Sequence, residues 1–214
     1  LTISGGATTT LNAYFASSVG SGTTSPYRAL SVVGTTTSTG GFNVDVASSS
    51  LLSYQGSTTI SVSGTNNFYA GLGANGSTTK ANGTDNVFIG AGAGYASVGT
   101  WNVFIGSLSG NGSTTGATNL GHSNTAVGYA TLEYNSTGAG NSAFGRQALK
   151  NNTQGTENSA FGAPGALANA ALQANTTGSY NSAFGVGALT SNTAGDKNSA
   201  FGQYALDSNT SGSY

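Results

Sequence analysis

A unit of about 17 residues recurs along most of this chain, and few folds can be built on so short a period. The unit runs Asn-Ser-Ala-Phe-Gly, two variable residues, Ala-Leu, two or three more residues, then Asn-Thr-x-Gly. Copies begin at Asn141, Asn158, Asn181 and Asn198. A variant, Asn-Thr-Ala-Val-Gly, begins at Asn124, and a more apolar one, Asn-Val-Phe-Ile-Gly, begins at Asn86 and Asn102. Asn67-Phe68-Tyr69-Ala70-Gly71 reads as a degenerate earlier copy. From Asn86 onward the starts are separated by 16, 22, 17, 17, 23 and 17 residues. Two units therefore carry extra residues, one within Gly110–Gly121 and one at Gly165–Ala170. Helical repeats need more than about 30 residues per unit, so they are excluded. The period predicts an all-β chain folded as a parallel β-solenoid, or β-roll, with one unit per coil. Each coil is expected to hold two short strands, one at Ser-Ala-Phe and one around Ala-Leu. The Gly and Asn-Thr-x-Gly segments between them are expected to be corners, where Gly and Asn supply positive φ. Coils stacked about 4.8 Å apart would make seven of them about 30–35 Å tall.

Strand side chains alternate between two faces. The second and fourth positions of the unit share one face and are read as the coil interior: Val87/Ile89, Val103/Ile105, Thr125/Val127, Ser142/Phe144, Ser159/Phe161, Ser182/Phe184 and Ser199/Phe201. The third position then points outward, and it reads Phe88, Phe104, Ala126, Ala143, Ala160, Ala183 and Ala200. An outward row that is never charged implies a second buried surface, most simply another copy of the chain. The Asn that opens each unit suits either an amide ladder between coils or a corner whose side chain caps its own backbone.

Composition narrows the function classes. Charged residues make up 5% of the 214 and the formal net charge is −1. So weak a field attracts neither nucleic acid nor an anionic membrane. There is no Cys, hence no disulfide or thiolate metal site. No apolar run reaches the roughly 20 residues of a membrane-spanning helix, and no signal peptide is visible. Leu1 is not a translation start, so the chain is expected to be a processed or excised piece. Its last residues, Asn209 to Tyr214, repeat the phase of Asn175 to Tyr180, after which the next unit begins. An uncapped last coil is therefore expected, able to continue into more chain or to dock end to end on another copy.

The repeat core resembles the head repeats of trimeric autotransporter adhesins, in Asn-Ser-Ala-Phe-Gly-x-x-Ala-Leu and Asn-Thr-Ala-Val-Gly alike. The longer period is closer to the repeats of large fibre-like surface proteins and phage-tail proteins, many of which end in a self-cleaving intramolecular chaperone. The stretch from Gly22 to Gly34, Gly-Thr-Thr-Ser-Pro-Tyr-Arg-Ala-Leu-Ser-Val-Val-Gly, is similar to an element of that second group. The resemblance covers about residues 20–34 and 86–214. It implies a parallel β-roll, a homotrimer around one axis, and attachment to a host or matrix surface. Residues 1–66 read as a separate N-terminal β-region, a shaft segment or cap, with strand-like stretches at Leu1–Ser4, Ala29–Val33, Phe42–Val46 and Thr59–Val62. Residues 67–214 read as the solenoid.

No constellation of catalytic residues emerges. His122, the only His, is placed in an insertion loop with no carboxylate and nucleophile spaced around it. The basic residues Arg28, Lys80, Arg146, Lys150 and Lys197 are scattered. Gly-x-Gly stretches such as Gly90–Gly94 lack the strand–helix setting of dinucleotide binding and read as corners. Sequons at Asn75, Asn82, Asn111, Asn135, Asn151, Asn175 and Asn209 are expected to be bare. Trp101, Tyr95, Tyr129, Tyr134, Tyr180, Tyr204 and Tyr214 either cover coil edges or offer stacking surfaces to sugars. The expected function is a non-catalytic fibre or adhesin module at a cell surface, outside the cell or on a virion tail, without cofactor, metal, nucleic acid or membrane span. A ligand would sit on loops such as 107–121 or 163–174. The alternatives are a subunit of an end-to-end filament and, last, an ice-binding protein, which would need a regular Thr-x-Thr array.

Overall fold

The structure is a computed structural model that describes residues 50–54, 57–61, 66–76, 83–112, 118–163 and 169–213. All of them belong to one compact unit, Asp45–Tyr214. The expected strands at Leu1–Ser4, Ala29–Val33 and Phe42–Val46, and the element at Gly22–Gly34, lie outside the described residues. So do Arg28 and Lys80 and the tips of the two insertions, 113–117 and 164–168.

The described residues form an all-β solenoid of about seven turns. Its spine is one sheet of strands β1 (Ser50–Tyr54), β2 (Ser57–Ser61), β3 (Phe68–Ala70), β4 (Val87–Ile89), β5 (Val103–Ile105), β6 (Thr125–Val127), β7 (Ser142–Phe144), β8 (Ser159–Phe161), β9 (Ser182–Phe184) and β10 (Ser199–Phe201). They lie side by side in sequence order. From β3 to β10 every neighbour is parallel and in register, so that Ala143 pairs with Ala160 and Ala160 with Ala183. β1 and β2 form an antiparallel hairpin, and β2 pairs antiparallel with the outer edge of β3. That edge of the solenoid is thus covered by chain of the opposite direction, which ends the parallel stack there.

Each coil holds one strand among the described residues, not the expected two. The Ala-Leu segment is a run of turns. Gln147 and Leu149 both have positive φ, at 61° and 51°, and so do Leu132, Leu172 and Leu189. Ala148, Lys150 and Asn152 donate N–H bonds three residues back within the coil, while Gln147 and Leu149 donate to Tyr129 and Ala171 on neighbouring coils. Alternating turn bonds with inter-coil bonds lets 17 residues close a ring without leaving backbone groups orphaned.

The two strand faces are the reverse of the sequence expectation. The third position points inward: Phe88, Phe104, Ala126, Ala143, Ala160 and Ala183 are all 0% exposed. The second and fourth positions point outward. The cause is the Asn that opens each unit. Asn102, Asn124, Asn141, Asn158 and Asn181 are fully buried, and the residue two places along a strand must share their face. Bulk misled the reading, because the strand parity set by the buried Asn places Ala inside and Phe outside in the later coils.

The opening Asn residues form the inter-coil ladder. The backbone N–H of each donates to the Oδ1 of the Asn one coil earlier: Asn141 to Asn124 at 3.0 Å, Asn158 to Asn141 at 3.0 Å, Asn181 to Asn158 at 3.0 Å. A second ladder, built from the Asn-Thr-x-Gly Asn, joins Asn135, Asn152, Asn175, Asn192 and Asn209 through Nδ2 to Oδ1 bonds of 2.8–3.0 Å. The two ladders meet on the glycine carbonyls: Gly155 O accepts from Asn141 Nδ2 and from Asn152 Nδ2, both at 2.9 Å. This glycine does not have left-handed φ, contrary to the expectation for such corners. It is required because a Cβ there would strike the carbonyl of Gly178 on the next coil.

Two residue pairings fill the same core volume. In two early coils the strand supplies Phe88 or Phe104, and eight places past the opening Asn stands Gly94 or Gly110. A Cβ on Gly94 would lie 2.5 Å from the Phe88 ring. In later coils the strand supplies Ala126, Ala143, Ala160 or Ala183, and the place of that glycine is taken by Leu132, Leu149, Leu172 or Leu189, all 0% exposed. A large residue enters from one wall or from the other. In the first coil Tyr69 stacks on Phe88, which stacks on Phe104, with centroids 5.1 Å apart each time.

Candidate functional site

The outward face of the sheet is the most distinctive surface of the described residues. One column along it reads Ala70, Ile89, Ile105, Val127, Phe144, Phe161, Phe184 and Phe201, and the column beside it reads Phe68, Val87, Val103, Thr125, Ser142, Ser159, Ser182 and Ser199. In-register pairing produces both columns. The four Phe rings stack along the axis with centroids 4.7, 4.7 and 5.0 Å apart and planes within 10° of parallel. Each ring covers its neighbour's face, so only ring edges face outward in Phe144, Phe161 and Phe184, which are half-buried. Ile89 and Ile105 are exposed, and Phe201 is 68% exposed. Neither column carries a charge. The face is apolar throughout and is bordered by hydroxyls from Thr125 to Ser199; exposed apolar faces of this kind are common at interaction surfaces.

The corner that precedes the strand carries a further column: Asp85, Trp101, Ser123, Gly140, Glu157, Tyr180 and Lys197. From Trp101 on, the N–H of each donates one coil back, as from Ser123 to Thr100 O at 2.9 Å, Gly140 to His122 O at 3.0 Å and Tyr180 to Thr156 O at 2.9 Å. His122 therefore lies in this regular corner and not in an insertion loop. Its Nδ1 is 3.4 Å from Ser123 Oγ.

Three other charged residues among those described, Arg146, Lys150 and Glu133, make contacts within the stack. Arg146 lies over the Tyr129 ring at 5.8 Å, and Lys150 lies over Tyr134 at 5.5 Å and 3.4 Å from Glu133. Gly90, Gly92 and Gly94 are corners with positive φ. Asn135 and Asn175, two of the sequons, are fully buried in the second ladder, so neither can carry a glycan. Trp101, Tyr95, Tyr129, Tyr180 and Tyr204 are exposed, with the Tyr95 ring lying against Gly76 and the Tyr204 ring against Gly187, whereas Tyr134 is half-buried and Tyr214 lies outside the described residues. Tyr69 is buried, and burial pushes its hydroxyl up to about 12, an effect that its neighbour Asn75 only partly offsets. A row of Thr153, Thr176, Thr193 and Thr210 does occur, but Thr153, Thr176 and Thr193 already donate their hydroxyls to the next coil's carbonyl. The residues two places on are Gly155, Gly178, Gly195 and Gly212, so this row of the described residues makes no Thr-x-Thr array. Among the described residues no cluster of His, Cys, Asp or Glu is placed to hold a metal ion, and no helix is long and apolar enough to cross a membrane.

No protein-family model, curated protein or solved structure matches the chain.

Proposed function

We propose that this chain is a non-catalytic structural module of an extracellular or surface-borne fibre, one that packs against copies of itself and serves attachment. The observation that carries the reading is the uncharged outward face, in which the stacked Phe column runs beside a row of Ser. Stacking along the column covers the ring faces and ties neighbouring coils together, but it leaves the outward ring edges and the adjoining apolar residues uncovered. Covering half-buried rings with a second copy would gain on the order of 1 kcal/mol each, and four rings in line add up to a specific contact. The surface a second copy would cover is the fourth-position Phe row and not the third-position Ala row, which fills the coil interior. The adhesin and tail-fibre repeats that the unit resembles support a threefold arrangement, a location at the cell surface or on a virion tail, and a role without cofactors.

The absence of Cys allows a direct test. Single cysteines are introduced by Ser182→Cys, beside the Phe column, and by Ala194→Cys, on another side of the coil. Self-association predicts that alkylation at position 182 slows as protein concentration rises while that at 194 does not. Equal, concentration-independent rates at both positions would refute it.

A further inference from the structure

We propose that the corner column from Trp101 to Tyr180 binds a neutral glycan chain laid along the solenoid axis. The inference starts from two residues that the fold does not need. Trp101 and Tyr180 have φ of 58° and 60°, a conformation that disfavours bulky side chains and suits Gly, Asn and Asp. Every coil holds this corner at a similar φ, through Asn66, Asp85, Ser123, Gly140, Glu157 and Lys197, so the fold fixes the conformation but asks for no aromatic ring there. The two aromatics gain little burial in return, being 61% and 57% exposed. Large rings placed at a corner that smaller residues fill elsewhere, and left mostly exposed, are suited to contact with a ligand.

What lies between them favours a polyhydroxylated ligand. Trp101 and Tyr180 stand four coils apart, about 19 Å at the spacing of stacked strands, which is the reach of an extended tetrasaccharide. The floor is low, formed by Ser123 and Gly140. The Glu157 carboxylate leans over it, since a Cβ on Gly140 would lie 3.0 Å from Glu157 Oε1. His122 and Ser123 add a ring nitrogen and a hydroxyl, 3.4 Å apart. Aromatic faces at both ends, with hydrogen-bonding groups along a shallow floor, fit sugar rings whose C–H faces stack and whose hydroxyls bond. The carboxylate at the centre disfavours acidic sugars and phosphates. This names the ligand class for the attachment part of the proposed function and rests on that part. The self-association assay reads a different face, so either can fail without the other.

Trp101 is the only Trp in the chain, so its emission reports on this column alone. The 214-residue protein is titrated with cellotetraose and chitotetraose as neutral probes, cellobiose as a short one and tetragalacturonate as an acidic one. The expected result is a saturable change in Trp101 emission at millimolar or lower concentration of at least one neutral tetrasaccharide. Cellobiose and tetragalacturonate should bind at least about tenfold more weakly. Tyr180→Asn should weaken the tetrasaccharide at least about tenfold, as loss of an aromatic anchor does, with a melting temperature unchanged or raised. Trp101→Asn, followed by calorimetry, should do the same. Unchanged emission with both neutral tetrasaccharides overturns the proposal, as does unchanged affinity in Tyr180→Asn or a preference for the acidic probe.

Discussion

The exchange of Phe/Gly for Ala/Leu between coils predicts a strong, measurable coupling. Phe104 is fully buried and stacked on Phe88. Truncating it by Phe104→Ala should cost about 3–5 kcal/mol, the usual loss for a core Phe. Gly110→Leu alone should also destabilise, by about 1–3 kcal/mol, because the new side chain enters the space of the Phe104 ring. Backbone conformation is no obstacle, since Gly110 has φ of 55° and Leu132 and Leu149 occupy the same place at 53° and 51°. The double variant recreates the Ala126/Leu132 arrangement one coil earlier. Its remaining loss should be the stacking with Phe88, about 0.5–1.5 kcal/mol. The two changes should therefore fall short of additivity by about 3 kcal/mol or more, at the top of the range for residues in contact. Urea denaturation of the four proteins, followed by far-ultraviolet circular dichroism, gives the cycle. A double variant as unstable as the sum of its parts, within about 0.5 kcal/mol, would refute the idea that both residues fill one volume.

The Asn ladders and the buried Tyr give two further predictions. Asn158→Ala strands the Asn181 N–H and leaves the Gly178 carbonyl with one partner fewer, so unfolding should become easier by about 2–4 kcal/mol. Asn209→Ala, at a partly exposed rung, should cost less than about 1 kcal/mol, and equal costs in denaturation would contradict the ladder account. Tyr69 keeps its proton up to about pH 12 in the fold and only to about 10 when unfolded, so its contribution is intact below pH 10 and is lost as the pH rises toward 12. The loss is about 3 kcal/mol in full. Melting temperatures at about pH 8 and about pH 11.5 should diverge more in the native protein than in Tyr69→Phe, and parallel declines would count against it.

The fold could be read from the sequence because its information is periodic. A 17-residue repeat of Asn, small and apolar residues admits few closed coils, and the in-register stack follows from the repeat itself. The face of each residue was misread because burial was inferred from size. Phe161 looked like core and Ala160 like surface, whereas the fully buried Asn158 two places before Ala160 sets the parity of the strand. The same Asn offered the right signal: a polar residue kept at every coil start is costly to bury unless it is bonded, and the bonds are those of a ladder. Glycine was misread in a related way. Gly155 looked like a conformational corner, but it is needed because another coil's backbone passes too close for a side chain. The corner column from Trp101 to Tyr180 was hidden for a third reason. Its members differ in every coil, and only stacking brings residues 16–23 positions apart into one line.

The central claim is that the Phe column is covered by another copy of the chain. Sedimentation equilibrium of the native protein and of Phe161→Glu/Phe184→Glu tests it most directly. Both substitutions lie on the outward face, so the coil core is untouched; losing the ring stacks and setting two carboxylates opposite each other in register should lower the melting temperature, and far-ultraviolet circular dichroism checks that the variant is folded where its mass is read. The account predicts a native species at a multiple of 20.9 kDa and a variant at the single-chain mass. A native protein that stays at the single-chain mass at high concentration would contradict it.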